Sequence, residues 1–174
     1  MAEAVDTAYV PPRGPIGRAV EKACAALAIL AGLAFGVEAL MSVVSVIGRT
    51  TIGTPVPGDY ELVQMLSAAG IAMCLPYCQL RKGHVFVDFF TLWAPAGLKR
   101  ILDAIAALLL SACSFLLAWR IWEGMLEMRE YGETSMVISL PVWWGYVPVA
   151  PSFVLLGIAA LYTFTQEVRG GAAR

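Results

Sequence analysis

The sequence predicts an all-α integral membrane protein, with four transmembrane helices and a short amphipathic interfacial helix between the second and third. Three observations carry that prediction. Hydrophobic residues fill 59% of the 174 positions and charged residues 14%, with a mean hydropathy of +0.73, too apolar for a soluble domain. Four stretches come up to the roughly 20 apolar residues that a helix needs to cross about 30 Å of hydrocarbon. None shows the ten-residue alternation of a membrane β-barrel, which leaves helices that satisfy their own backbone groups.

Residues 1–22, with the stretch PPRGP, read as a polar cytoplasmic tail. The membrane domain follows over 23–166. Its first apolar run, about 23–47, is longer than a signal-peptide core and reads as a retained span. The second runs over about 60–80, the third over about 101–122 and the fourth over about 144–165, before a short cytoplasmic tail at 167–174. The four cysteines, at 24, 74, 78 and 113, fall within or beside these runs, where cysteine packs as a small hydrophobe; no disulfide framework is implied.

Between the second and third runs lies RKGHVFVDFF, with the chain's one histidine four residues before an aspartate. At 100° per residue His84, Asp88 and Thr91 form a narrow polar stripe, with Phe86, Phe89, Phe90 and Trp93 opposite. A strand would mix the two sets, so the segment reads as an interfacial helix over about 84–94, its aromatics in the acyl boundary and membrane lipids as its contacts. A catalytic or metal role for His84 and Asp88 lacks further ligands and an orienting third group.

Charge sets the orientation. Of twelve lysines and arginines, nine (Arg13, Arg18, Lys22, Arg81, Lys82, Lys99, Arg100, Arg169 and Arg174) fall on one side of the four spans. Arg49 and Arg129 fall on the other, with Arg120 near the outer end of span three. The positive-inside rule therefore puts both termini in the cytoplasm. Trp119, Trp122, Trp143 and Trp144 are placed to form an aromatic belt at the outer interface, the alternative being that they pack the helix bundle. The loop after span three is acidic through Glu123, Glu127, Glu130 and Glu133; such a run is ordinarily a solvated face, and its functional alternative is to steer a soluble partner by charge.

Arg49 through Gly53, Pro57 to Glu61 entering span two, HVFVD from His84 to Asp88, and Gly132 to Ser135 followed by Leu140, Pro141, Val142 and Trp143 occur in that order around the four spans. In this order and placement the chain resembles the small permease subunit of tripartite ATP-independent periplasmic (TRAP) transporters over about 23–165. The resemblance implies a non-enzymatic subunit of an ion-gradient-driven importer, with sodium as the coupling ion, in the bacterial inner membrane. It implies two protein partners: a large multi-span permease carrying the substrate and ion sites, and a periplasmic substrate-binding protein. Arg49, Gly53, Pro57, Glu61, His84, Asp88, Gly132, Ser135, Pro141 and Trp143 become the candidate subunit contacts.

Glu38 opens a rival reading. A carboxylate inside a span is costly and a functional candidate by default. Small multidrug transporters also have four helices and a glutamate in the first, which would make this chain a self-sufficient proton-coupled carrier. Their very short loops and weak charge bias do not match. The alternative role of Glu38 is a hydrogen-bonded group at a helix interface, with Arg120 able to approach it only by reaching inward. A haem anchor would need two intramembrane histidines. No phosphate-binding Gly-rich loop is present, and no cofactor, metal, catalytic constellation or nucleic-acid partner is expected.

Overall fold

The computed structural model describes residues 14–81 and 96–170. Five helices occur among the described residues, in this order: α1 (Gly14–Thr51), α2 (Asp59–Leu80), α3 (Ala96–Glu130), α4 (Trp143–Tyr146) and α5 (Val149–Gly170). Among the described residues the only strand-like feature is an isolated bridge between Thr134 and Pro141. Four helices among the described residues are long and apolar enough to cross a membrane: Pro15–Thr51, Asp59–Leu80, Ile101–Glu130 and Trp143–Gln166, the last taking in α4. The all-α membrane class read from the sequence is therefore the class observed. The interfacial helix expected at 84–94 lies outside the described residues, and so do His84 and Asp88.

Two helices outrun the apolar stretches that announced them. α1 starts at Gly14 rather than near residue 23, taking in nine positions, 14 to 22, that the sequence reading gave to a polar tail. Pro15 is tolerated in a first helical turn, and Arg18, Ala19, Glu21 and Lys22 are good helix formers, so propensity carries the helix past the end of the apolar run. α3 likewise runs on through Glu127 and Arg129 to Glu130. It stops there because Gly132 takes a left-handed φ of 65°, while the amides of Gly132 and Glu133 bond back to the carbonyls of Arg129 and Met128. Those two bonds are the closing pattern of a Schellman motif, whose left-handed residue is usually glycine.

The four long helices form a row. α1 packs on α2, α2 on α5 and α5 on α3; α1 touches α5 lightly and shares no packed face with α3 among the described residues. In the most apolar window of α1 only 6% of positions are buried, against 33% in the last span. The end helices of the row therefore leave broad apolar faces uncovered, among them Ile29, Leu33, Val37, Leu40 and Val44 on α1.

Association in lipid rests on close packing and interhelical hydrogen bonds, because lipid tails are as apolar as leucine. Both outer pairs use a ring set over a glycine. On α1 the Phe35 ring lies where a Cβ on Gly70 of α2 would come within 2.8 Å of it, and on α3 the Phe115 ring stands 2.9 Å from the corresponding point on Gly157 of α5. Small residues at helical spacing on α3, the buried Ala107, Ser111, Ser114 and Ala118, let it approach α5. Ser111 Oγ donates to the Gly157 carbonyl at 3.1 Å, and Gln79 Nε2 of α2 donates to Thr163 Oγ1 of α5 at 3.2 Å. α1 and α2 share a core of Ala31, Ala69 and Met73, flanked by Leu27, Phe35 and Cys74.

Gly157→Val tests the ring-over-glycine contact. Its side chain must displace Phe115, so the α3–α5 pair should loosen by about 1–3 kcal/mol, the usual cost of overpacking. Thermal unfolding in detergent should show a lower midpoint for Gly157→Val, whereas the open Gly124→Ala, with nothing within 4 Å of a Cβ, should leave it unchanged.

Candidate functional site

The sequence-predicted residues that converge do so at the ends of the helices where α1 passes into α2 and α3 into α4. The short connection from α1 to α2 is built first by backbone. Val56 to Asp59 close a turn through the Asp59 amide and the Val56 carbonyl at 3.3 Å, with Pro57 second and Gly58 third at φ 72°, ψ 15°. Those are the requirements of a type II turn: proline pre-sets the second residue, and glycine takes the left-handed third. Gly53, at φ 77°, makes the other left-handed bend in the same connection.

Side chains then fix the turn to α1. Ser45 Oγ donates to Asp59 Oδ2 and accepts the Val56 amide at 3.3 Å. The Tyr60 amide donates to Asp59 Oδ1 at 2.7 Å, and Arg49 Nη2 stands 3.8 Å from Asp59 Oδ2. Asp59 opens α2, where unpaired amides and the helix dipole favour a carboxylate. The Arg49 ion pair is largely exposed and adds little to stability; the serine and amide bonds carry the geometry.

Glu61, half a turn further on, holds the second connection. Its Oε2 accepts from Ser135 Oγ at 2.6 Å, and its Oε1 from the amides of Met136 and Val137 at 2.9 and 3.1 Å. Behind that turn the loop closes on itself: the Ser135 amide bonds to the Leu140 carbonyl at 2.8 Å and the Val142 amide to the Glu133 carbonyl at 3.1 Å. Pro141 is the bridge partner of Thr134. Ser139 sits at φ 54°, a conformation that a non-glycine residue keeps only where the surroundings over-determine it. Ile138 lies directly over Gly58, where a Cβ would come within 2.6 Å of its side chain, so the two connections touch. Arg129 completes the cluster from α3, its guanidinium 5.5 Å from the centroid of the Trp143 ring.

Arg49, Gly53, Pro57, Glu61, Gly132, Ser135, Pro141 and Trp143 thus belong to one assembly of two connections. Two intramembrane candidates stand apart from it. Glu38 Oε1 accepts from Ser67 Oγ across the α1–α2 contact at 2.7 Å, while its Oε2 is buried with no hydrogen-bond partner. Arg120 does not reach inward to Glu38: it pairs with Glu123 one turn along α3, Nη1 to Oε2 at 2.9 Å, and the Trp119 indole N–H donates to the other oxygen of Glu123 at 2.7 Å. Sequence reasoning missed Ser45, Ser67 and Ile138, because a serine or isoleucine in an apolar run carries no local signal. Gly58 and Asp59 had one, standing between Pro57 and Glu61.

The assembly is a polar fixation of two connections. Among the described residues no group of three or more histidine, cysteine, aspartate or glutamate side chains could hold a metal ion. A groove of about 600 Å³ between α3 and α5, lined by Phe115, Trp119, Trp122, Val147, Pro151 and Val154, is almost wholly apolar.

A protein-family model described as "Tripartite ATP-independent periplasmic transporters, DctQ component" matches residues 38–170. No curated protein and no solved structure matches the chain.

Removing the Glu61 charge should release the second connection while the spans remain folded. In Glu61→Gln, hydrogen exchange at the Met136 and Val137 amides should accelerate by roughly tenfold or more, since both now bond to a carboxylate. Exchange in α5 should not change. Equal protection in the variant and the parent would show that the backbone bridge alone holds the loop.

Proposed function

The chain belongs to the DctQ component family of the tripartite ATP-independent periplasmic transporters, and from that membership we propose that it acts as the scaffold of its transporter. It is the small multi-pass membrane subunit. The large permease, bound along the uncovered apolar faces of the row, carries the solute and ion sites. A periplasmic binding protein delivers the solute, and an ion gradient, sodium in this reading, drives uptake. Both termini lie in the cytoplasm, as the one-sided placement of nine lysines and arginines supports.

The row is the observation that carries this reading. A carrier needs a polar path at the bilayer midplane, lined by several helices. Here α1 and α3 share no packed face among the described residues, so the four spans do not surround a common centre. The intramembrane carboxyl of Glu38 is turned into the α1–α2 contact and bonded to Ser67. Such a carboxyl ties two helices together, which is what a scaffold requires.

Two measurements test the proposal. The chain should co-purify in detergent with the large permease of its transporter, and proteoliposomes containing this chain alone should show no gradient-driven uptake. Proton-coupled export of cationic compounds by the purified chain, abolished by Glu38→Gln, would replace the scaffold with the self-sufficient carrier. For topology, reporter fusions after Arg49 and Arg129 should read as periplasmic, and fusions after Lys99 and Arg169 as cytoplasmic.

A further inference from the structure

The groove of about 600 Å³ between α3 and α5 has its cause in side-chain size. Ala118 and Ala150, small and buried, line it at depth, while the larger Phe115, Trp119, Trp122 and Val154 stand exposed around them. Phe115 is kept from filling the space by its seat over Gly157. Trp119 is 65% exposed and Trp122 52%, so the indoles wall an open slot rather than pack a core. From Phe115 to Trp122 the slot runs about 10 Å along α3, at a rise of about 1.5 Å per residue. Spread over that length, its volume leaves a cross-section of about 60 Å², short of the roughly 80 Å² that a helix 10 Å across would need. An extended hydrocarbon chain is narrow enough to enter; a neighbouring helix is not.

The rim of the slot decides what that chain is attached to. At about 100° per residue, Glu123, Glu127 and Arg120 follow Trp119 round one side of α3, within roughly a quarter turn of it. Glu123 accepts from the Trp119 indole N–H at 2.7 Å and from Arg120 Nη1 at 2.9 Å, which orients the guanidinium. The Arg120 side chain is 74% exposed, and among the described residues it spends on Glu123 one N–H of the several that a guanidinium carries. An exposed, oriented guanidinium is a phosphate partner. The carboxylates of Glu123 and of exposed Glu127 suit an ammonium group and repel a headgroup of net negative charge. Tryptophan is enriched where a membrane meets water, which sets Trp119 and Trp122 at headgroup level and the slot among the acyl chains.

We propose that the α3–α5 slot is a binding site for one phospholipid whose headgroup carries a phosphate and a primary ammonium, as that of phosphatidylethanolamine does. One acyl chain lies in the slot against Phe115 and Val154, the phosphate bonds to Arg120, and the ammonium meets Glu123 and Glu127. Free phosphate gains nothing from an apolar slot, and a net anionic lipid meets two carboxylates. The site is made of this chain's own residues and does not depend on which transporter the chain serves.

The test is native mass spectrometry of the full chain in detergent, after exposure to an equimolar mixture of phosphatidylethanolamine, phosphatidylcholine and phosphatidylglycerol. One phosphatidylethanolamine should stay bound per chain, favoured roughly fivefold or more over either competitor, the worth of about one hydrogen bond to a charged group. Excess inorganic phosphate should not displace it. Val154→Trp, which fills the slot, should abolish retention. Arg120→Gln, at an exposed position that folding does not depend on, should lower retention roughly tenfold, and Glu123→Gln should erase the preference for phosphatidylethanolamine over phosphatidylcholine. In the assembled complex with the large subunit, a photo-crosslinking residue in place of Val154 should capture lipid. Equal retention of the three lipids, retention unchanged in Arg120→Gln, displacement by inorganic phosphate, or crosslinking from position 154 to the large subunit alone would each overturn the proposal.

Discussion

Asp59 and Glu61 stand at the start of α2, and each reaches away from its own helix. Asp59 takes bonds from Ser45 on α1 and from the amide that opens α2; Glu61 takes them from a loop more than seventy positions later. Two carboxylates placed where the helix dipole favours negative charge thereby register three helices and two connections at one end of the molecule. α2 is also interior to the row, packed on α1 on one flank and α5 on the other. In lipid, where apolar faces do not by themselves select one neighbour over another, such polar ties set which helix meets which. Glu38 with Ser67 and Gln79 with Thr163 repeat the device deeper along the same helix.

The four spans were legible because hydrophobicity over about twenty residues is a direct consequence of bilayer thickness. Their ends were less so. The helix from Gly14 into span one, and the extension from Trp122 to Glu130, are polar and rest on propensity, which an apolar window does not register. The order of helices in the row was not legible at all: exposed Leu33 and Leu27, packed against the α1–α2 core, have the same side chain, and the hydrophobic pattern cannot separate them.

The residues of the two connections fall between these cases. Pro57 with Gly58 and the isolated Gly132 carry turn chemistry readable from sequence, and each sits where that chemistry requires. The pairing of Glu61 with Ser135 could not be read locally, since it joins residues far apart in the chain. Arg120 had a partner in plain view: Glu123, one turn on, satisfies it at helical spacing, so no inward reach toward Glu38 is needed.

A row of helices tied through α2 and open along its flanks leaves broad apolar faces without a protein neighbour among the described residues. One of them is the uncovered side of α1, with Leu33, Val37 and Leu40. In the scaffold proposal the large permease covers this face. The most direct measurement is labelling by a lipid-soluble photoreactive probe at single cysteines replacing Leu33, Val37 and Leu40, compared between the chain alone and the complex with the large subunit. Labelling should fall severalfold on assembly at these positions and stay constant at a cysteine replacing Ala31, which is already buried against α2. Undiminished labelling at all three positions in an intact complex would contradict the claim.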